Sequence, residues 1–415
     1  MRTIFASAVM AAVNANNVHE FFAESNFICG ICQQAVEHAN NQNMEELAQL
    51  YTLFPALEEA MDTYTGNLDK IDLTKPEQTC TNLNLCAKES VAELLINEMP
   101  VDRSDIIDYV NNHPNATWTA KANDKFKGAS TAEIRKTMGT VVDPKWTLKS
   151  HEKTHFTENV DFPTNFDARE NWPECESVIN HVRDQANCGS CWAHGTTEAL
   201  NDRMCIATGG AFTELLSVAD TTACCDGTHC YSFGCNGGQV GTPWAWFQKT
   251  GVVSGGDYGD DTLCYDYTMP QCAHHVTVPG MTSCEDTSQI APVCKNTCQT
   301  NSSIVYDADK VKGASTYGIR GVDNIKMEIM THGTVTAAFT VYEDFETYSS
   351  GVYQHMTGKQ LGGHAIKMIG WGVENGEDYW LCVNSWNNNW GDQGTFKILM
   401  GNCGINNQVH AGLAQ

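Results

Sequence analysis

The stretch Asp184-Gln185-Ala186-Asn187-Cys188-Gly189-Ser190-Cys191-Trp192-Ala193-His194-Gly195 decides how the rest of the chain is read. Gly189-Ser190 is a turn-forming pair, and the residues after it read as the start of a helix. Cys191 then sits in the first helical turn. There, unpaired backbone N–H groups and the positive end of the helix dipole lower a thiol pKa. The thiolate is the nucleophilic form, so Cys191 is the candidate nucleophile. In a chain with 19 cysteines, a disulfide partner is the alternative reading of Cys191.

A nucleophilic thiol needs a base that is adjacent in space, not in sequence. Among 14 histidines, His364 stands out because it follows Gly362-Gly363 and opens an apolar strand pattern, Ala365-Ile366-Lys367-Met368-Ile369. Two glycines leave its ring room to face a cleft. Asn384, in Val383-Asn384-Ser385-Trp386, can accept a hydrogen bond from one ring nitrogen, and Trp386 can shield that bond from water. Gln185 lies six residues before Cys191. Its side-chain amide can share an oxyanion with the Cys191 backbone N–H.

Composition narrows the class. At 415 residues the chain is long enough for two or three units. A formal net charge of −25 leaves no basic patch to neutralise phosphates, which argues against nucleic acid. The many cysteines point to an oxidising compartment and a disulfide framework. Arg2, the apolar run from Ile4 to Val13 and the small residues Val13-Asn14-Ala15 read as a signal peptide over 1–15. No later stretch is long and apolar enough to span a bilayer. Asn115-Ala116-Thr117 and Asn301-Ser302-Ser303 are glycosylation sequons, at Asn115 and Asn301. The secretory pathway is expected, with a lysosome or vacuole, or secretion, as destination. No cofactor is expected, and the product reads as a monomer.

Cys-Gly-Ser-Cys-Trp at 188–192, with His364 and Asn384 downstream, resembles the papain family of cysteine proteases, and the cathepsin B type most. The resemblance runs from about residue 162 to the C-terminus and starts at Phe162-Pro163-Thr164-Asn165-Phe166-Asp167-Ala168-Arg169. It implies an α+β fold of two lobes, one helical and carrying Cys191, the other barrel-like and carrying His364 and Asn384. It implies peptide hydrolysis through a Cys–His thiolate–imidazolium pair oriented by Asn384. Gly237 and Gly238 match the family's backbone platform, which takes substrate as an added strand. Gly189, Gly363, Ala338, Ala365, Trp386 and Gln408 fall on substrate-binding positions.

The base lies farther from Cys191 than the ~130–150 residues of the papain group. A cysteine-rich insertion over 264–298 accounts for the excess. Within it, Pro270-Gln271-Cys272-Ala273-His274-His275-Val276, closed by Cys284, resembles the occluding loop of cathepsin B. That likeness implies that His274 and His275 bind a substrate's terminal carboxylate, making the enzyme a peptidyl-dipeptidase as well as an endopeptidase. The His pair has no third ligand at clear spacing, so it is not read as a metal site. The family pattern implies disulfides Cys175–Cys205, Cys188–Cys235, Cys224–Cys294, Cys225–Cys230, Cys264–Cys298 and Cys272–Cys284, leaving Cys191, Cys382 and Cys403 free.

Upstream, residues 91–160 are similar to a cathepsin B propeptide. A helical pattern at Asp105–Asn112, Trp118, and a second short helix around Ile134–Met138 precede an extended run from Gly139 to about Val160. In the family that run lies in the cleft against the substrate direction, so the chain reads as a zymogen cut near Val160-Asp161-Phe162-Pro163. Residues 16–90 carry Cys29-Gly30-Ile31-Cys32, helical patterns, and Cys80 and Cys86. They resemble a saposin B-type module lacking its central cysteine pair, which implies Cys29–Cys86 and Cys32–Cys80 and contact with lipid or a membrane surface. The rival function is therefore a lipid-binding protein whose protease unit serves maturation.

Four positions depart from the cathepsin B pattern. No Arg lies between Cys272 and Cys284, and Asn389 stands where an Asp would pair with it, which leaves His274 with Asp184 as the one loop tether. Gln408 replaces an acidic residue that accepts Arg at the second substrate position. His194 replaces an aromatic beside the nucleophile, either packed neutral or titrating. Gln239-Val240 replaces a Tyr-Pro pair.

Overall fold

The structure is a computed structural model that describes residues 21–41, 47–48, 50, 74–76, 79–80, 86, 100–145, 147–155, 160–273, 281–284 and 290–415. Ten strands form one mixed sheet: β1 (Trp118–Ala120), β2 (Glu152–Lys153), β3 (Phe166–Asp167), β4 (Tyr317–Ile319), β5 (Val335–Tyr342), β6 (Tyr348–Tyr353), β7 (Gln360–Glu374), β8 (Glu377–Val383), β9 (Thr395–Leu399) and β10 (Gln408–Ala411). The order is β1-β6-β9-β8-β7-β5-β10-β4-β2, with β3 beside β7. The outermost strands, β1 and β2, both come from the segment before residue 160. They pair with β6 and β4, edges that would otherwise present free N–H and C=O groups.

The main helices are α1 (Phe21–Asn40), α2 (Ser104–Asn112), α3 (Thr131–Lys136), α4 (Cys191–Ala207), α5 (Val218–Cys224), α6 (Thr242–Lys249) and α7 (Val322–His332). Helix α3 opens with a capping box, in which Ser130 accepts from the Glu133 N–H and Glu133 accepts from the Ser130 N–H. Helix α4 is buried on every side from Cys191 through Cys205, as expected of a helix at the centre of a lobe. Its one buried guanidinium, Arg203, is paired with Glu328 of α7 at 2.9 Å and bonds the carbonyls of Gly333, Thr334 and Gly412. Burial alone would raise the Glu328 pKa, but Arg203, Tyr317 and Lys153 together hold it down at about 2.

Two cores result. One gathers Trp192, Leu200, Trp244 and Phe247 of the helical lobe around α4. The other gathers Phe339, Phe345, Trp371, Trp380, Trp386 and Trp390 of the sheet lobe, and it includes Val110, Trp118, Phe126 and Ile134 from the preceding segment. That segment is thus built into the sheet lobe's core. Eight disulfides join Cys29–Cys86, Cys32–Cys80, Cys175–Cys205, Cys188–Cys235, Cys224–Cys294, Cys225–Cys230, Cys264–Cys298 and Cys272–Cys284. Cys191, Cys382 and Cys403 are free. Among the described residues, no helix is long and apolar enough to cross a membrane.

Candidate active site

Cys191 is the first residue of α4 and is fully buried. Ser190, just before it, makes no capping bond to the helix; its hydroxyl meets Tyr267 at 2.9 Å and His194 Nδ1 at 3.3 Å. The first N–H groups of α4 are therefore left for other acceptors. The Trp192 and Ala365 N–H groups both face Cys191 Sγ. Since Ala365 follows His364 on β7, the sulfur lies beside the strand that carries the imidazole.

His364 Nε2 and Asn384 Oδ1 are 2.7 Å apart, and Asn384 Oδ1 also accepts from the Ser385 N–H. With Nε2–H donating, the Nδ1 lone pair is the free basic position, and Nδ1 has no hydrogen-bond partner. The ring packs 4.7 Å from Trp386 and 6.0 Å from Phe339. Burial lowers the His364 pKa to about 4, against a smaller raising effect of Asn384. Burial likewise pushes the Cys191 thiol up, although Thr140 and three backbone N–H groups oppose it. Both groups are thus neutral here, contrary to the lowered thiol pKa expected from the helix terminus. Exclusion of water by the segment in the cleft outweighs the dipole.

Gln185 is held from two sides. Its N–H donates to the Ser385 carbonyl at 2.9 Å, and its Oε1 accepts from the Ser385 hydroxyl at 2.7 Å. Its Nε2 donates to the Thr137 carbonyl at 2.8 Å and to the Cys188 carbonyl at 2.6 Å. The donor expected at an oxyanion is therefore occupied by the segment upstream of residue 160.

That segment fills the cleft. The Gly139 N–H points at Cys191 Sγ from 3.3 Å, and Thr140 Oγ1 lies 3.1 Å from it. Thr140 bridges Gly238 in parallel; the Gly238 N–H donates to Gly139, Val141 donates back to Gly238, and Thr140 donates to the Gly363 carbonyl. Only glycine fits at 139, because a Cβ there would stand 1.7 Å from the Gly189 carbonyl oxygen. An N–H and a hydroxyl of the segment therefore face the sulfur.

The other expected positions are adjacent across three strands. Gln408 is opposite Ala338, and Ala338 is opposite Ala365. Val142 packs into the cluster that holds Ala338 and Ala365, and Gln408 Nε2 donates to the Val142 carbonyl at 3.1 Å. Gln239 accepts from the Leu148 N–H, and Val240 is buried. His194 packs neutral: burial lowers its pKa to about 3, and its ring bonds the Ser190 carbonyl and stands edge-on to Tyr267.

His274 and His275 lie outside the described residues. Asp184, the carboxylate expected to tether His274, is paired with Lys125 and accepts from Asn387 at 2.9 Å and the Ala186 N–H at 2.8 Å. Asn115 is exposed; Asn301 is half-buried, with its amide donating to the Thr262 carbonyl. Among the described residues, no group of three or more His, Cys, Asp or Glu is arranged to hold a metal.

Sequence reading overlooked Arg103, Lys125 and the roles of Thr137 and Thr140. Arg103 makes a two-pronged ion pair with Glu346 at 3.1 Å and reaches Glu343 at 3.2 Å. No local pattern marks such residues, since their partners are 243 and 59 positions away.

Residues 162–413 match the family described as Papain family cysteine protease, and residues 103–144 match the peptidase family C1 propeptide. The chain belongs to the papain family of cysteine proteases. A cathepsin B-like cysteine proteinase of Schistosoma japonicum is 41% identical over 314 residues, covering 74% of this chain and 90% of that one. A cathepsin B-like cysteine proteinase of Caenorhabditis elegans is 40% identical over 321 residues, covering 75% and 83%. The solved procathepsin B of Trypanosoma congolense superimposes with a TM-score of 0.62 at 31% identity, covering 76% of this chain and 99% of that one. A digestive procathepsin L of Tenebrio molitor, at 22% identity and a TM-score of 0.57, shares the fold. The chain is a cathepsin B-like cysteine peptidase in zymogen form, with its own propeptide as inhibitor.

Proposed function

We propose that Cys191 is the nucleophile, His364 its base and then acid, Asn384 the group that orients His364, and Gln185 with the Cys191 N–H the oxyanion donors. When the propeptide leaves, water re-enters, and the forces that keep thiol and imidazole neutral lapse. His364 Nδ1 takes the Cys191 proton, and the thiolate attacks the peptide carbonyl. The imidazolium gives its proton to the leaving amine, and the ring then deprotonates the water that hydrolyses the thioester. The observation that carries this reading is the propeptide's use of the same groups: Gln185 Nε2 on Thr137, Gly238 on Gly139 and Val141, and Sγ under Gly139 and Thr140. Val142 stands in for the second substrate side chain in a pocket of Ala338, Ala365, Gly363 and Gln408.

The units follow as 1–15 signal peptide, 16–90 a saposin-like stapled module, 91–160 propeptide and 161–415 peptidase. The product acts in the secretory pathway, in a lysosome or vacuole or outside the cell, with glycans at Asn115 and Asn301. The insertion over 264–298 gives dipeptide release through His274 and His275. With the second tether missing, it is looser than in cathepsin B and permits a larger endopeptidase share; negligible endopeptidase activity at acid pH would count against that. The lipid-binding rival is weakened by burial of Ile31, Val36, Leu47 and Leu50, which leaves these side chains turned away from a bilayer.

Acid activation, N-terminal sequencing of the product and labelling with an epoxide thiol reagent test the assignment. A new N-terminus near residue 161 and label on Cys191 are expected. Cys191→Ala should neither label nor hydrolyse peptides; retained hydrolysis would refute it.

A further inference from the structure

The stapled helix α1 does not close its apolar cluster on itself. Ile31, Cys32, Ala35 and Val36 are fully buried on one face, together with Leu47, Leu50, Cys80 and Cys86. The same cluster contains Val141 of the propeptide strand in the cleft, and Leu148, Tyr231 and Phe233 pack against it. Phe233 is next to the substrate platform: its N–H donates to the Gly237 carbonyl at 2.7 Å, and Gly238 is the residue that grips Gly139 and Val141.

The contact is close. A Cβ at Gly30 would stand 3.0 Å from the Phe233 ring, and Gln34 Oε1 would lie 3.3 Å from one at Gly227. A mid-helix glycine costs about 1 kcal/mol relative to alanine; here the ring beneath it supplies the reason for its presence. Helix α1 also lies beside α3, the Gly234–Asn236 turn and β7 of the opposite lobe. It therefore spans the cleft at the end beyond Val141.

We propose that the cystine-stapled helix is a second inhibitory element of the zymogen. It seats on Tyr231 and Phe233, presses Val141 onto the platform and bridges the two lobes, so that the cleft opens only once α1 lifts. Its apolar face has a docking site on this same chain. The inference rests on Cys191 being the nucleophile that the propeptide covers.

The test uses the full-length, oxidised zymogen at neutral pH, where it stays unprocessed. The rate at which iodoacetamide alkylates Cys191 is read by peptide mapping, which separates it from Cys382 and Cys403. That rate reports how often the cleft opens. Gly30→Leu puts a side chain where the Phe233 ring stands, while favouring the helix over glycine. It should label Cys191 at least about tenfold faster than wild type. Gly30→Ala, the smallest addition, should fall between the two and serves where the leucine variant fails to form its cystines. Wild-type labelling rates in the variants that keep Cys29–Cys86 and Cys32–Cys80 intact would overturn the proposal. Acid-processed wild type is the control: failure of its Cys191 to label sinks the nucleophile assignment and this inference with it. Equal zymogen rates beside a labelling processed enzyme sink only the second inhibitory element.

Discussion

At the residue scale, Gln408 is the residue proposed to set the pocket for the second substrate side chain. It is half-buried on β10, opposite Ala338, and carries no charge. A neutral amide cannot pair with guanidinium, so apolar side chains should beat Arg at the second substrate position. Gln408→Glu should raise cleavage of an Arg-Arg fluorogenic substrate relative to Phe-Arg by about tenfold or more, the effect of one charge-assisted bond. An unchanged ratio would show that the residue does not line the pocket. His410, two positions on, is buried, and its burial lowers its pKa to about 4 from an ordinary 6.5. A histidine depressed in this way takes up a proton on unfolding, so the stability it supplies is complete above pH 6.5 and is lost as pH falls toward 4. His410→Val should therefore gain on wild type by up to about 1.4 kcal/mol for each pH unit between 6.5 and 4.5, read from denaturant unfolding at each pH. A difference that does not vary with pH would mean that the ring is charged or exposed.

At the scale of elements, the propeptide is held by its ends as well as its middle. Arg103, at the start of α2, grips the buried Glu346 on the sheet lobe, and Asn123 caps the carbonyls of Glu346 and Tyr348. Burial raises the Glu346 pKa to about 7, even though Arg103 acts to lower it. Acidification therefore favours the protonated form of Glu346, which removes one charge from the clamp. Arg103→Ala leaves Glu346 buried without its partner, a loss of about 3–5 kcal/mol for a buried pair. That zymogen should hydrolyse a small peptide at neutral pH, where wild type is silent; full latency would place the holding force elsewhere. Lys125 acts alike on Asp184. The turn before the Cys191 helix, the His364 strand and the propeptide's helix–Trp–helix order were legible in sequence because each has a local pattern. The clamps were not, because an ion pair between remote segments leaves no mark on either one.

Taken whole, the molecule has a sheet closed at both edges by the segment before residue 160. Val352 donates to the Thr117 carbonyl at one edge, and Gly318 donates to the His151 carbonyl at the other. On processing, the amides of Val352 and Gly318 should exchange with solvent at least about a hundredfold faster, while the β5–β7 ladder keeps its protection. Equal protection before and after would mean that the edges are covered by something other than the propeptide. The same closure accounts for the neutral thiol and imidazole. Removing water from the cleft outweighs a helix dipole whose effect falls off within a turn.

From its residues alone the chain declared its family, the turn that opens the Cys191 helix, the glycine pair ahead of His364 and the cysteines available for pairing. These are properties of short stretches, carried by backbone requirements and residue chemistry that neighbours in sequence express. Folding brought Thr137 onto Gln185, Arg103 onto Glu346, Lys125 onto Asp184 and Gly30 onto Phe233, and it set the protonation of Cys191 and His364. Those outcomes depend on which distant surfaces meet and how much water they expel, and neither quantity is written in a local pattern.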